Sequence, residues 1–440
     1  MSSTRNPRIP RPNAPALRAV MLRPRNRLLG AVVVTGLVGG LIGAAYLGTL
    51  KFVTETIGPD EWSLTAHLGI MVAVGVLVAA ITKWLGRPAD VELLVDNIHV
   101  SGGTDSLRQL RSLIPISLLC VGAGGALGPE APLVTTTGSV GSWIGDRAQL
   151  GVRELRVVSI AGMAAGFTVL FGAPLGSAVF ALEILHRRGL EYYEALLPSA
   201  IGSLCGYAVY VAVTGLGLEP IFPFPAHAAL QLGDLGWGVA AGVVGALVAA
   251  TFTYLCVVLR KIIGYVPAVA RPVLGGAVLG GFAFVTPYAL TNGEVHMADL
   301  NGVAHVAATT LLLAAAMKIV ASAVTVVSGW NGGFIIPLFF IGYCLARATT
   351  GHLPGSDPWI LAAGAMAAAN VGVTKTPIGS TLVVTEMAGL TLLPPTLIAS
   401  LVSLLLTSGV GLIHTQRQRF DPNEQDFDPD DTAYPEGAVA

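Results

Sequence analysis

Two stretches decide how this chain is put together: GMAAGFTVLFGAPLGSAVFALE (162–183) and AMAAANVGVTKTPIGSTLVVTE (365–386). They align without a gap. Met163 pairs with Met366, Pro174 with Pro377, Gly176 with Gly379, Ser177 with Ser380 and Glu183 with Glu386. Shared apolar composition accounts for the matching alanines, but poorly for a Pro-x-Gly-Ser and a closing glutamate in the same frame. A chain that repeats itself in apolar segments carries the mark of a transporter whose site lies where the halves meet.

The surroundings of these stretches are apolar along the whole chain. Of 440 residues, 53% are hydrophobic and 12% charged, and the mean hydropathy is +0.70. A soluble chain carries about twice that charge, so the class is an all-α polytopic membrane protein. A net charge of −1 leaves no basic patch for nucleic acid. The four cysteines (Cys120, Cys205, Cys256, Cys344) are far apart in apolar runs and read as small core residues, with no disulfide framework or metal site. There is no HExxH, and the histidines fall mostly at span ends or in loops, so an intramembrane hydrolase is disfavoured and no cofactor or enzyme activity is expected.

The ends give the topology. Residues 1–27 hold seven arginines, and no acid precedes Glu55. A positive segment ahead of the apolar run Leu28–Leu50 puts the N-terminus in the cytoplasm. A signal peptide with AlaAlaTyrLeuGly (44–48) as its cleavage region is the rival, but the apolar run is longer than such a peptide needs. Residues 417–440 are polar and acidic and read as a disordered cytoplasmic tail. Between the ends we expect a first membrane repeat over 28–215, a linker over 216–234 and a second repeat over 235–416. Runs near 66–84, 235–259, 303–327 and 391–413 are long enough to span. Those at 112–127, 132–144, 156–171, 173–185 and 359–370 are shorter and broken by Gly-Pro pairs, as half-helices meeting inside the protein would be.

Few ionisable residues interrupt these runs: Glu130, Glu183, Lys318, Lys375 and Glu386. Each is expensive at membrane depth and needs a partner or a role. Glu130 lies among Gly122, Gly124, Gly125, Gly128, Pro129, Ala131 and Pro132, where glycines end one segment and Pro132 suits the first turn of the next. The N–H groups of a helix start favour an anion, so a carboxylate there acts as a tethered anion that opens the site when protonated or displaced. The plainer reading is an N-cap glutamate in a loop mouth. A second junction, Gly329 to Pro337, again leads from a broken segment into an apolar helix start. Two such junctions could aim two sets of neutral peptide dipoles at one dehydrated anion, holding it weakly enough to release it.

In combination these motifs are specific to one family. GPEAP (128–132) and GFIIP (333–337) resemble the GxEGP and GxFxP signatures of CLC chloride channels and transporters, and Ala-Pro-Leu-Gly (173–176) with Thr-Pro-Ile-Gly (376–379) is similar to that family's repeated segments. The likeness runs from about residue 30 to 416. It implies two inverted repeats of tilted and broken helices, a homodimer with a pore within each subunit, and Glu130 as the gating glutamate that competes with chloride. Gly128, Ala131, Gly333, Phe334 and Ile335 would border the anion, the N–H groups of Phe334 and Ile335 helping to bind it.

The departures bear on mechanism. Ala131 replaces a glycine and Ile335 a phenylalanine. The first signature aligns best at LGRPA (85–89), with Gly86 where an ion-coordinating serine would stand, and SerGlyGlyThr (101–104) competes for that place. No inner-gate tyrosine occurs between Ile413 and Thr415, and Ile184 occupies the position of the internal proton-relay glutamate. Glu183 is a candidate proton port, though its mate Glu386 points to a structural pair. Lys318 and Lys375 either snorkel or pair with these acids. The expectation is Glu-gated chloride transport across the cell (plasma or inner) membrane, with a lean to channel-like conduction. Proton-coupled antiport is the alternative, and another small anion such as fluoride or nitrate a third reading.

Overall fold

The computed structural model describes residues 24–103, 107–186, 192–215, 224–225, 230–303, 306–349, 352–413 and 416. These form sixteen α-helices and no named strand. Eight lie before the linker: α1 (Pro24–Ile57), α2 (Leu64–Leu85), α3 (Val91–Ser101), α4 (Leu110–Gly122), α5 (Glu130–Arg147), α6 (Val152–Phe171), α7 (Pro174–Glu183) and α8 (Leu196–Thr214). Eight follow it: α9 (Leu232–Ile263), α10 (Arg271–Phe282), α11 (Glu294–Asn301), α12 (Ala308–Val327), α13 (Ile335–Ala348), α14 (Pro358–Thr374), α15 (Pro377–Ala388) and α16 (Leu393–Leu406). The expected linker, 216–234, lies mostly outside the described residues, and α9 starts within its bounds at Leu232.

The repeated stretches become the centre of each half. In α6 every residue from Val157 to Phe171 is buried, and in α14 every residue from Ile360 to Thr374. Their alanines and glycines explain this, because without a large side chain in the way neighbouring backbones close in on all sides. Each central helix ends at a residue in the left-handed region, Gly172 (φ +58°) and Lys375 (φ +61°). Pro174 and Pro377 then start α7 and α15, where a missing N–H and a preset φ suit the first turn. The Pro-x-Gly-Ser of the repeat is therefore the start of a short helix in each half.

Among the described residues six helical stretches are long and apolar enough to cross a membrane: Arg27–Glu61, Leu64–Leu85, Val152–Phe171, Tyr193–Thr214, Leu232–Ile263 and Ala308–Val327. Tyr193–Thr214 was not among the expected runs, and two expected segments differ in length. The segment 156–171, read as short, starts four residues earlier at Val152, because the polar turn Val152–Arg156 is helical and Glu154 accepts from the Gly151 N–H. The segment 391–413, read as a full span, yields a helix of only 14 residues that ends in the turn after Leu406 and leaves Leu401, Leu405 and Leu406 exposed. AlaAlaTyrLeuGly (44–48) lies in the middle of α1, which packs along α6 and α8 as part of the bundle.

A carboxylate junction between two helix starts

The chain segments that lead into α5 and α13 meet as one antiparallel bridge. Gly128 N donates to Gly333 O at 2.7 Å and Gly333 N donates to Gly128 O at 2.6 Å. Two helix N-termini, one from each half, are thereby pinned face to face with their unpaired N–H groups converging. Glycine permits the close approach: a Cβ at Gly128 would collide with the carboxyl group of Glu130, and one at Gly333 with that carboxyl group and the Ala131 amide.

Glu130, the first residue of α5, bends across this bridge. It is fully buried, and its Oε1 accepts a 2.6 Å hydrogen bond from the Ile336 N–H in the first turn of α13. Its Oε2 has no hydrogen-bond partner. No cation neutralises it: among the described residues the ionic side chains nearest by sequence reading, Lys318 and Lys375, are committed elsewhere. The Lys318 Nζ donates to Leu290 O at 2.5 Å and Thr291 O at 2.8 Å, beneath the Phe340 ring. The Lys375 Nζ donates to Gly372 O and Thr407 O, both at 2.6 Å. Neither lysine pairs with Glu183 or Glu386 as the sequence allowed. Both instead cap backbone carbonyls at helix and turn ends, which is a cation's favourable place.

On one side the junction faces a cleft of about 680 Å³. Leu127, Ala131, Gly333, Phe334 and Ile335 line its depth, and Lys83, Arg87, Arg260 and Arg271 its mouth, with Asp90 and Glu92. Glu130 itself lies behind this lining. Ile184, at the relay-acid position, and Ile413, the first of the three positions at issue for an inner gate, also line the cleft, and 414–415 lie outside the described residues. Gln416 fixes this wall, its amide nitrogen donating to Ile184 O and Thr374 O.

Most of the sequence-derived site residues therefore come together: Gly128, Glu130, Ala131, Gly333, Phe334 and Ile335 share one junction. Gly86 does not join them. It is exposed at the end of α2 (φ +93°), with open space where a side chain would project. Of the competing SerGlyGlyThr, Gly102 and Gly103 are packed against Val152, Ser142 and Ser159, and Thr104 lies outside the described residues. Glu183 is elsewhere, at the start of α15, accepting from Ile378 N at 3.2 Å and Gly379 N at 2.6 Å. Glu386 reciprocates at the start of α7, accepting from Leu175 N at 3.3 Å and Gly176 N at 2.7 Å. Three features escaped the sequence: the Ile336 amide, one residue past the pair expected, the cationic mouth, and Tyr46, whose hydroxyl is buried on Ser117 Oγ at 2.8 Å. The basic residues near 83–87 and 260–271 were a visible signal for the mouth. Nothing in the sequence marked Tyr46.

A bundle of two eight-helix halves, with broken helices meeting at a buried acid on backbone amides, defines a repeat-built membrane transporter of anion-binding type. Residues 74–408 match the family model described as voltage gated chloride channel, so this chain belongs to the CLC family of anion transport proteins. It is 26% identical over 406 residues to the chloride/fluoride channel protein of Pseudomonas syringae pv. tomato (strain DC3000), covering 88% of this chain and 86% of that one. The fold is similar to a CLC-type fluoride/proton antiporter (TM-score 0.79, 21% identity, 92% of this chain and 100% of that one). It is also similar to a slow cyanobacterial Cl⁻/H⁺ antiporter (TM-score 0.77, 19% identity, 87% and 94%).

Proposed function

We propose that this chain exchanges small halide-class anions for protons, with Glu130 as the group that serves both. The observation that carries this is the half-satisfied carboxylate: one oxygen bonded to a helix-start amide, the other buried without a partner, and no cation to hold it. A hydrogen bond to a charged group contributes about 1.5–3 kcal/mol, and an unsatisfied buried oxygen offsets a similar amount. The carboxylate therefore sits where an anion binds without being locked there. Proton binding removes its charge and its claim on the Ile336 N–H, and the vacated amides then take the mobile anion. Anion departure and proton release reverse the step.

The two similar structures are described as proton antiporters, and this supports exchange over the channel-like lean that Ile184 and the absent tyrosine gave the sequence. Ile184 and Ile413 on the cleft favour uncoupled conduction as the second reading, since neither side chain can carry a proton. Chloride and fluoride are the first anions to try, both being named for the Pseudomonas relative. The cleft faces the cytoplasm in this reading: Lys83, Arg87, Arg260, Lys261 and Arg271 lie at its side, Asp60 and Glu61 at the other, as the positive-inside rule requires. The N-terminus falls on the cytoplasmic side as well, in the cell membrane. Two copies would associate through α7 and α15, which at 10 and 12 residues are too short to cross a bilayer yet leave Leu175 and Ile378 exposed.

The test is flux from liposomes holding the full-length protein. An outward chloride or fluoride gradient should drive uphill proton movement, seen with a proton-sensitive dye, and Glu130→Gln should abolish proton movement and the pH dependence of anion flux. Anion flux with no proton movement establishes the uncoupled reading instead, and unchanged pH dependence in Glu130→Gln removes Glu130 from the mechanism.

A further inference from the structure

We infer that Glu294, at the start of α11, relays protons between the outer solution and Glu130. This rests on the proton-linked reading of Glu130 above. Glu130 is fully buried and lies behind the cleft lining, so a proton reaches it only past another group. The face opposite the cleft supplies one. The turn 291–294 is sewn to the segment that delivers Glu130: Thr291 N donates to Gly124 O at 2.8 Å, and Lys318 holds the carbonyls of Leu290 and Thr291. Gly293, in the left-handed region (φ +93°), lies flat against the Phe340 ring, where a Cβ would collide. Phe340 stands one helical turn beyond Ile336, whose amide holds Glu130. The turn therefore places Glu294 on the same face of α13 as the gating carboxylate.

Glu294 has what a relay needs. It is half-buried at the first position of α11. Its position is fixed by Asn292, which accepts from the Glu294 N–H at 3.0 Å and donates to its Oε2 at 3.3 Å. Its carboxyl group lies within electrostatic reach of Glu130, and Tyr210 of α8 falls in the same reach. Two of the remaining charged groups of this face are engaged otherwise, and a third, His296, keeps its Nδ1 buried without a hydrogen-bond partner. Lys318 is bound to carbonyls, and His67 is bonded to Ala123 O. His296 packs edge-on to Tyr288 within range of Lys318, Asp60 and Asp299. The step is a plain proton transfer: the Glu294 carboxylic acid gives its proton across intervening water to the Glu130 carboxylate. Outer water then reprotonates the Glu294 carboxylate, and release runs backwards.

The test uses full-length protein in liposomes with outer pH varied. Glu294→Gln keeps the size of the side chain and an oxygen for Asn292, but cannot titrate. We expect proton movement to fall about tenfold or more, and the outer-pH profile of anion flux to move to more acid pH, because a negative charge beside Glu130 has gone. Glu294→Asp should restore most of the rate, Glu61→Gln, an exposed acid on the same side, should behave as wild type, and in a Glu130→Gln background Glu294→Gln should change nothing further. A Glu294→Gln protein with wild-type proton movement and pH profile overturns the inference. So does an equal loss of anion flux in the Glu130→Gln background, which would leave Glu294 only the shaping of its turn. If the wild type moves no protons, the exchange reading fails, while the outer-pH profile of anion flux still decides the role of Glu294.

Discussion

Three glutamates sit on helix-start amides in the interior, and they are not equivalent. At the seam between α7 and α15, Glu183 and Glu386 form a symmetric staple in which each carboxylate uses both oxygens on two consecutive amides of the other half's helix. At the junction of α5 and α13, Glu130 uses one oxygen on one amide and leaves the other bare. The electrostatics are of one kind, a carboxylate at the positive end of a helix dipole. What differs is saturation. A carboxylate with two bonds, one on each oxygen, in a reciprocal seam has nothing to gain by moving, whereas a carboxylate with one bond is displaced by anything that supplies that bond equally well. Burial and residue type do not separate gate from staple. Hydrogen-bond count does.

The comparison breaks most sharply on a crossed pair of variants. Glu183→Gln with Glu386→Gln faces an amide NH₂ toward N–H groups at both ends of the seam and removes two charge–dipole contacts. At about 2 kcal/mol or more for each glutamate, the double variant should unfold in detergent at a much lower temperature, or fail to accumulate, while any folded fraction keeps its pH-dependent flux. Glu130→Gln should do the reverse, with pH dependence lost and thermal unfolding in detergent little changed. If Glu183→Gln alone abolished proton movement in a stably folded protein, Glu183 would be a proton port after all and saturation would be the wrong criterion.

A smaller and more local effect sharpens the same point. At Gly128 the three atoms nearest an added Cβ all belong to the Glu130 carboxyl group, none to backbone. Gly128→Ala therefore evicts the carboxylate while leaving the Gly128–Gly333 bridge intact. Anion flux at alkaline pH, where the ionised Glu130 plugs the wild type, should rise several-fold, with flux at acid pH nearly unchanged. Gly333→Ala adds a clash with the Ala131 amide at 2.9 Å and should lower anion affinity as well, because it shifts the helix start that binds the ion.

How much of this was readable beforehand follows from the same geometry. The repeat was visible because α6 and α14 are buried on all sides and carry alanine and glycine where neighbouring backbones close in, and because a proline opens the short helix after each. Glu130 was visible because glycine and proline cluster only where the backbone turns inside the bundle. The partner of Glu130 was not, since backbone amides carry no residue signature: Ile336 could be any residue with an N–H. The lysines misled for a related reason. A buried cation suggests an acid, yet Lys318 and Lys375 are satisfied by carbonyls of the turns at 290–291, 372 and 407, which no side-chain inventory shows. Gly86 illustrates the limit of motif alignment, since placing LGRPA (85–89) on a signature at a helix end says nothing of whether that end points into the protein.

The cleft mouth gives the smallest effect and the one most dependent on conditions. Lys83, Arg87, Arg260 and Arg271 outnumber Asp90 and Glu92 there, so the mouth concentrates anions before they meet the neutral amides at its depth. Arg271 is fixed, donating to Val266 O and Gly264 O, and its loss would disturb the loop between α9 and α10. Arg87 and Arg260 are exposed and make the cleaner test. Exposed charges act over a screening length of about 10 Å at 0.1 M salt and about 3 Å at 1 M. Arg260→Gln or Arg87→Gln should thus lower anion flux by about twofold in dilute salt, and the difference should vanish as inert salt is added. The pH profile should stay where it was, because steering at the mouth changes how often an anion arrives and not how Glu130 leaves its amide. A charge-reversing Arg260→Glu that moved the pH profile, with the rate effect persisting at high salt, would place this arginine in contact with the gate and merge two regions that the structure keeps apart.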